Sequence, residues 1–351
     1  MQAQIRQNFG GRSAMKNFGQ VAVAATAGIC CTVCSPAAQA AQAAPGASTK
    51  VAVTTMAAAK AAEAQLPSLV AYVRKGDVYT SKGASEKRLT STGAAARPRW
   101  SPNGRQIAFL NKGQLWTMNA DGSNQKRLTT RPAAGPSWSP DGKWIAFSSL
   151  SCTGGPGVFK IPATGGKKEA VMFPRDCKAE TLPAEAEAAK SVARELSTDD
   201  AVAWSPDGKQ LAFRGGDCES IYDACLSLGD VTTGGEKTVA AYGGGGVQNK
   251  GFAVVPSWRS DGAKLAFTAF QEGETADENK PVHLVEYDAI TGATRTIGNA
   301  MDRELDYVDA GRAVLTSEKA GTAWVTVVGL ANGVRTPFKS GSQPSVQPLV
   351  R

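Results

Sequence analysis

The pentapeptide WSPDG occurs at 138–142 and again at 204–208, and it belongs to a longer unit that the chain repeats. Four copies share one frame: ARPRWSPNGRQIAFL (96–110), AGPSWSPDGKWIAFS (134–148), DAVAWSPDGKQLAFR (200–214) and VVPSWRSDGAKLAFT (254–268). A fifth, RELDYVDAGRAVLTS (303–317), keeps the aromatic residue, the glycine and the apolar run. Proline suits the second position of a type I turn, glycine accepts the left-handed backbone of a bulged hairpin, and aspartate caps its own turn. The pentapeptide therefore predicts a tight turn between two strands rather than a reactive centre.

Two further strand-like segments follow a copy, as GQLWTMNADG (113–122) and QKRLTT (125–130) follow the copy at 96–110. Four strands per unit, repeated about every forty residues or more, predict the blades of a β-propeller. Three strands at 69–74, 76–82 and 86–91 come before the first copy and lack an innermost partner. The segment SQPSVQPLV (342–350) resembles the start of the other first strands, so we expect it to complete this blade and remove a free sheet edge.

The predicted fold class is therefore all-β. It is a six-bladed propeller of four-stranded blades over residues 66–351, with a C-terminal strand that completes the first blade and closes the ring. We number the blades in chain order, so that blade 1 contains the strands at 69–91 and blades 2 to 6 begin with the five copies of the repeat.

The repeats resemble those of the TolB-like β-propeller family, which are also called PD40 or WD40-like repeats. The resemblance covers roughly residues 66 to 351. It implies a periplasmic scaffold that binds a protein or another cell-envelope component, with the peptidoglycan-associated lipoprotein of the Tol system as the kind of partner. TolB carries a separate folded domain ahead of its propeller, whereas residues 41–65 of this chain have the composition of an alanine-rich lead-in.

The first forty residues have the layout of a secretory signal peptide. Arg6, Arg12 and Lys16 are followed by the apolar run Val21–Val33 and by small residues that predict cleavage after Ala40. The run is too short to span a bilayer, so we expect no transmembrane span in the mature chain and a periplasmic or secreted location. Two alternatives stay open: Met15 in place of Met1 as the start, and lipid anchoring through one of the cysteines at 30, 31 and 34.

Charge and cysteine usage agree with an exported protein. Cleavage removes three cations and no anion, so the formal net charge falls from +8 to +5. No run of lysine and arginine predicts nucleic-acid binding, and we expect a monomer. Four cysteines remain, which predicts two disulfides in an oxidising compartment: Cys152, Cys177, Cys218 and Cys225. Sequence alone allows three pairings.

Strand order places the first and third turns of every blade on one face, the turn face, and the second turns and inter-blade links on the other. The irregular segments of blades 3 to 5 all fall on the second face, which we call the loop-rich face: 149–157, 175–199, 215–225, 242–251 and 270–281. All four cysteines belong to these segments, which favours the pairs Cys152–Cys177 and Cys218–Cys225. Within the longest segment, strong helix formers predict a helical insert at about 180–197.

Elaborated loops on a rigid scaffold are where binding usually resides, so we predict a binding surface on the loop-rich face of blades 3–5. Aromatic and polar residues are typical anchors of such surfaces. The predicted binding residues are Tyr222, Asp223, Tyr242, Asn249 and Glu272.

Catalytic motifs are missing from the sequence. His283 is the single histidine, and no G-x-S-x-G occurs, so neither a histidine metal site nor a Ser-His-Asp triad has a motif behind it. We predict no catalytic residue, no metal ligand and no cofactor. The alternative is a lactonase-like or glycan-acting hydrolase with a calcium ion in the channel, for which 271–280 supplies carboxylates. The tryptophans of the repeat hold one fixed place, which favours packing between blades over stacking on sugars: Trp100, Trp138, Trp204 and Trp258.

Overall fold

The computed structural model describes residues 64–152, 156–166, 169–175, 177, 196, 200–215, 223–243, 255–271 and 280–349. Contacts divide the chain between Ala59 and Lys60, and all the described residues lie in the second unit. They form 24 β-strands in six four-stranded antiparallel sheets. No helix among them is long and apolar enough to cross a membrane. The predicted all-β, six-bladed propeller is confirmed, while the helical insert predicted at 180–197 lies outside the described residues apart from position 196.

Each blade is a meander whose strands follow one another from the innermost strand outward. Blade 1 consists of β24 (Ser342–Val346), β1 (Val70–Arg74), β2 (Asp77–Ser81) and β3 (Glu86–Arg88). Blade 2 consists of β4 (Ala95–Trp100), β5 (Gln106–Asn111), β6 (Gln114–Asn119) and β7 (Lys126–Arg127). Blade 3 consists of β8 (Ala134–Trp138), β9 (Trp144–Leu150), β10 (Pro156–Pro162) and β11 (Ala170–Phe173).

The other three blades repeat the same order without a crossover. Blade 4 consists of β12 (Ala203–Trp204), β13 (Gln210–Arg214), β14 (Asp223–Asp230) and β15 (Glu236–Gly243). Blade 5 consists of β16 (Ser257–Trp258), β17 (Lys264–Gln271), β18 (Lys280–Asp288) and β19 (Thr294–Ile297). Blade 6 consists of β20 (Arg303–Tyr307), β21 (Arg312–Lys319), β22 (Thr322–Gly329) and β23 (Arg335–Ser340).

The ring is closed by β24, as the sequence predicts. This strand pairs antiparallel with β1, with Val346 opposite Val70 and Ser345 opposite Ala71. The innermost strands contact one another around the ring in the order β24, β4, β8, β12, β16, β20 and back to β24. Blade 1 is thus built from both ends of the propeller, and β1 has no free inner edge.

The hydrophobic core is divided among the joints between neighbouring blades. Six clusters of buried apolar side chains are present, and each draws its members from two adjacent blades. The joint between blades 3 and 4, for example, stacks Phe173 on Phe213 with ring centroids 5.1 Å apart. Because a single sheet buries little on its own, we infer that each blade depends on both neighbours for its stability.

The WSPDG pentapeptide forms the turn that the sequence predicts. In blade 4, Ser205 Oγ donates to Asp207 Oδ1 at 2.6 Å, and the Lys209 N–H donates to the same oxygen at 3.0 Å. Gly208 has a φ of +77°, in the left-handed region where a side chain would be strained. Hydrogen bonds from Ser205 and the Lys209 amide hold the pKa of Asp207 below its usual value. The Asp207 side chain therefore stabilises the turn through its Oδ1 atom.

Candidate functional site

The strand order fixes which segments share the loop-rich face. The strands β9, β11, β13, β15 and β17 all end on the same side of the ring, because alternate strands of an antiparallel blade run in the same direction. The five irregular segments of the sequence begin at or near these strand ends, and they include residues of the flanking strands. The short turns such as Ser205–Gly208 lie at the opposite ends of the strands.

Two of the five predicted binding residues are described, and they lie close together. Asp223 is the first residue of β14, and Tyr242 lies next to the last residue of β15. The two strands pair there, with Asp223 opposite Gly243 and Ala224 opposite Tyr242. Tyr222, Asn249 and Glu272 lie outside the described residues.

The predicted disulfide Cys152–Cys177 is present, with Cα atoms 5.5 Å apart. Cys152 follows β9 and Cys177 follows β11, so the bond joins two segments that leave the loop-rich face of one blade. Cys225 is also disulfide-bonded, while Cys218, its predicted partner, lies outside the described residues. The structure thus restrains this face at blade 3 through a covalent bond.

We expect Cys152 and Cys177 to resist alkylation in the native protein and to react only after their disulfide is reduced. The double variant Cys152→Ser/Cys177→Ser should lose about 2 to 3 kcal/mol of unfolding free energy, because the intervening chain is no longer closed into a loop. Peptide mass spectrometry and urea denaturation measure the two effects. Labelling of either cysteine without reductant contradicts the bridge.

A second set of candidate residues lies along the innermost strands. The residue immediately before the aromatic of each repeat, or before Val346 at the equivalent place in blade 1, occupies what we call an axial position. The six axial residues are Arg99, Ser137, Ala203, Ser257, Asp306 and Ser345. In the joints where this side chain is a serine or an aspartate, it bonds to the next blade. Ser137 Oγ accepts the Trp204 N–H at 2.9 Å, and Asp306 Oδ2 accepts the Val346 N–H at 2.7 Å.

Two axial residues break this pattern, and tryptophan indoles replace the missing bonds. Arg99 donates from Nη1 to Pro344 O at 3.2 Å, back towards blade 1, and Ala203 has no polar side chain. At these two joints the indole N–H of the following blade donates to the main-chain carbonyl instead, Trp138 to Arg99 O at 3.1 Å and Trp258 to Ala203 O at 3.2 Å. The predicted packing of the tryptophans between blades is therefore confirmed at both joints.

A buried charged cluster surrounds the closing strand, at positions for which the repeats predict no charged contact. Arg97 Nη1 lies 2.8 Å from Glu304 Oε1, and both side chains are buried. The Gln343 N–H donates to Glu304 Oε2 at 2.8 Å, and the Arg97 N–H donates to Gln343 Oε1 at 2.7 Å. Blades 2, 1 and 6 are thereby joined in one closed network, which we call the closure network.

The three residues of the closure network share a backbone conformation that is rare outside glycine. Arg97, Glu304 and Gln343 have φ values of 51°, 60° and 58°, and each lies three residues before the aromatic position of its repeat. The pairing register shifts beside them, as in a β-bulge. Such conformations persist where neighbouring contacts over-determine them, and here the contacts are those of the network.

Arg99 and Asp306 are the two charged axial residues, and they flank β24 from opposite sides. Burial raises the pKa of Asp306, while the positive charge of Arg99 and the hydrogen bond from Ser257 act in the opposite direction. Burial likewise lowers the pKa of Arg99. Asp306 Oδ1 accepts Ser257 Oγ at 2.6 Å, so its oxygens are occupied by structural contacts.

We expect the substitution Arg99→Met to raise the pKa of Asp306 further, because it removes the nearby cation that favours the carboxylate. A raised pKa means that the folded protein keeps this proton at a pH where the unfolded chain has lost it. The contribution of Asp306 to stability therefore falls as pH rises from the unfolded to the folded pKa, and the substitution extends this window upward. Carboxyl ¹³C NMR measures the shift, with Asp261 as an unaffected control; titration of Asp306 at or below its ordinary value contradicts the expectation.

The alternative of a channel calcium ion stays a prediction. Among the described residues, no group of three histidine, cysteine, aspartate or glutamate side chains could hold a metal ion. Most of the acidic segment 271–280 lies outside those residues. His283 lies in β18, opposite Ala269 of β17.

Comparisons with known proteins agree with the fold. TolB from Acinetobacter baumannii is 16% identical, with a TM-score of 0.58 over 82% of this chain and 68% of that one. A putative TolB from Agrobacterium tumefaciens is 17% identical, with a TM-score of 0.53 over 80% and 92% of the two chains. A chain of the nidogen/laminin complex is 7% identical, with a TM-score of 0.57 over 80% and 98%. No family model and no curated protein matches. The TolB-like propeller fold predicted from the repeats is thus confirmed, and at these identities the likeness concerns the fold.

Proposed function

We propose that this protein is an exported, periplasmic propeller scaffold that binds a protein or another envelope component through the loop-rich face of blades 3–5. The observation that carries the proposal is the asymmetry of the ring. The five irregular segments leave from one face, whereas the opposite face carries short turns. A rigid ring that holds its variable segments on one side is a typical platform for binding.

Three further observations support the proposal. The Cys152–Cys177 disulfide stabilises this face and suits an oxidising compartment, as does the signal-peptide layout of residues 1–40. Asp223 and Tyr242 lie beside each other at the edge of the same face. Similar propellers occur in TolB and in the nidogen/laminin complex. A partner similar to the peptidoglycan-associated lipoprotein is therefore the first to be tested.

The test combines capture and direct binding. The immobilised mature protein is exposed to envelope extract and, separately, to purified peptidoglycan-associated lipoprotein from the same cells. We expect Tyr222→Ala/Tyr242→Ala to lose about tenfold or more in affinity, as removal of aromatic anchors does at interfaces. The matched control is Ile290→Ala, because Ile290 is 83% exposed in a turn of the opposite face.

The possible outcomes test the binding surface and the identity of the partner separately. Loss of binding in the tyrosine variant with retention in the Ile290 variant supports the loop-rich face. Equal binding by the wild-type protein, the tyrosine variant and the Ile290 variant contradicts the assignment of binding to the loop-rich face. If another envelope component is captured and its binding depends on the same tyrosines, the loop-rich face is supported as the binding surface. That component then takes the place of the lipoprotein as the proposed partner.

A further inference from the structure

On the turn face, a proline of one turn approaches the glycine of the next at two joints, between blades 2 and 3 and between blades 3 and 4. A Cβ built on Gly142 of blade 3 would lie 4.0 Å from Pro102 of blade 2, and one built on Gly208 of blade 4 would lie 3.7 Å from Pro140 of blade 3. The equivalent Cβ on Gly262 of blade 5 would meet no atom within 4 Å. The proline–glycine contact between neighbouring turns is thus missing between blades 4 and 5.

A cleft of about 370 Å³ occupies this joint, between the turn of blade 4 and the turn of blade 5. Blade 5 has Arg-Ser-Asp-Gly where the consensus has Ser-Pro-Asp-Gly. Its backbone turn is unchanged, with the Gly262 N–H donating to Arg259 O at 2.8 Å. The side chains differ, because Arg259 Nε now donates to both oxygens of Asp261 at 3.0 Å. The volume lies in the range of small-ligand sites.

One wall of the cleft is the indole of Trp258. Trp258 is partly exposed, as is Trp204 of blade 4, whereas Trp100 and Trp138 of blades 2 and 3 are only 6% and 7% exposed. The bond from its indole N–H to Ala203 O fixes the ring in place. The cleft therefore includes an aromatic side chain whose position is fixed by a hydrogen bond before a ligand arrives.

The charged residues that line the cleft are Asp207 and Asp261. Arg259 engages both oxygens of Asp261, and hydrogen bonding to Arg259 holds the pKa of Asp261 below its usual value. Asp207 uses Oδ1 for Ser205 and the Lys209 amide, and within the described part of the chain its Oδ2 has no partner. The remaining polar lining comes from Gln210 and Ser260.

We propose that this cleft binds one or two units of a neutral carbohydrate. A pyranose places its C–H face on the indole, and its hydroxyls donate to Asp207 Oδ2 and exchange hydrogen bonds with the Gln210 amide and the Ser260 hydroxyl. A cationic ligand is less suited, because Arg259 already neutralises one carboxylate and Lys209 lies next to the other in the chain. The site is on the opposite face from the proposed partner surface and does not depend on it.

The test compares two aspartates that have the same local role. Asp141 and Asp207 each accept a serine hydroxyl at 2.6 Å and a backbone N–H at 3.0 Å, but only Asp207 faces the cleft. Asp207→Ala and Asp141→Ala should therefore cost similar stability. In titrations of the mature protein with maltose, cellobiose and diacetylchitobiose, we expect Asp207→Ala to weaken binding about tenfold or more and Asp141→Ala to leave it unchanged.

A second variant, Ser260→Tyr, fills the cleft without touching Asp207, and it should abolish the saturation-transfer NMR signal of the bound sugar. Absence of binding of all three disaccharides to the wild-type protein overturns the proposal. Equal weakening by the two aspartate variants overturns it as well, because the effect is then structural. Binding of tetramethylammonium or a lysine peptide with the expected dependence on Asp207, in the absence of sugar binding, overturns the carbohydrate assignment.

Discussion

Deletion of residues 342–351 is expected to abolish the cooperatively folded monomer. The deletion removes β24, so β1 presents a free inner edge, and blade 1 loses a quarter of its strands. It also removes Gln343, which both Arg97 and Glu304 contact, and the Val346 N–H that Asp306 accepts. Because domains of this kind are stable by only about 5–15 kcal/mol, the combined loss of strand pairing and buried contacts should exceed the whole stability.

Near-ultraviolet circular dichroism and size-exclusion chromatography measure this effect. We expect loss of the fixed aromatic signal and a shift to aggregates that form through the exposed edge of β1. The control is deletion of residues 349–351, because Leu349 is exposed and lies beyond β24. A deletion variant lacking 342–351 that stays monomeric and unfolds in one sharp transition would show that the ring does not need its closing strand.

The second large effect is expected from Arg97→Met, at about 3–5 kcal/mol of unfolding free energy. The substitution leaves Glu304 buried without its cation, although Thr316 Oγ1 and the Gln343 N–H still donate to it at 2.6 and 2.8 Å. Truncating one member of a buried pair costs more than the pair contributes, because the remaining charge stays desolvated. Urea denaturation monitored by tryptophan fluorescence measures the loss.

Two controls make this expectation specific. The double variant Arg97→Met/Glu304→Gln removes both charges and should recover a large part of the loss, since no uncompensated charge stays buried. Arg312→Met breaks an exposed ion pair with Asp309 in blade 6, the blade of Glu304. It should lower the unfolding free energy by less than about 1 kcal/mol. An Arg97 variant no less stable than the Arg312 variant would mean that the closure network contributes nothing to the fold.

The sequence was sufficient to predict the scaffold because each turn and strand is determined locally and then repeated. Proline, aspartate and glycine at fixed spacing specify the turn wherever they occur, and the alternating apolar residues specify the strand that follows. The closing role of 342–350 could be predicted for the same reason, since this segment resembles the other first strands and blade 1 lacks one. The Cys152–Cys177 pairing followed from strand order.

The closure network could not be predicted in the same way. Arg97, Glu304 and Gln343 are far apart in the sequence, and they contact one another only because the ring brings blades 2, 6 and 1 together. Their left-handed backbone depends on these contacts, since none of the three is a glycine. A weak signal was available: these are long polar residues at a position where blade 3 has Gly135 and blade 4 has Ala201.

The candidate binding surfaces were predictable in part. Strand order gave the face on which the irregular segments lie, but their side-chain arrangement depends on contacts that no repeat specifies. The cleft beside Trp258 could not be predicted from the repeat, because the four tryptophans hold equivalent places in the sequence. The substitution of Arg259-Ser260 for Ser-Pro is visible in the repeat, and it changes the side chains beside the cleft.

The structure of blade 1 also bears on whether this chain could be circularly permuted. The Gln347 N–H donates to Leu69 O at 2.8 Å, so the two ends of the propeller are adjacent in space. A short linker between them would allow circular permutation, with new termini placed in an exposed turn such as Asp121–Ser123. The closing blade would then be formed within a continuous chain, and the chain break would move into blade 2, between β6 and β7.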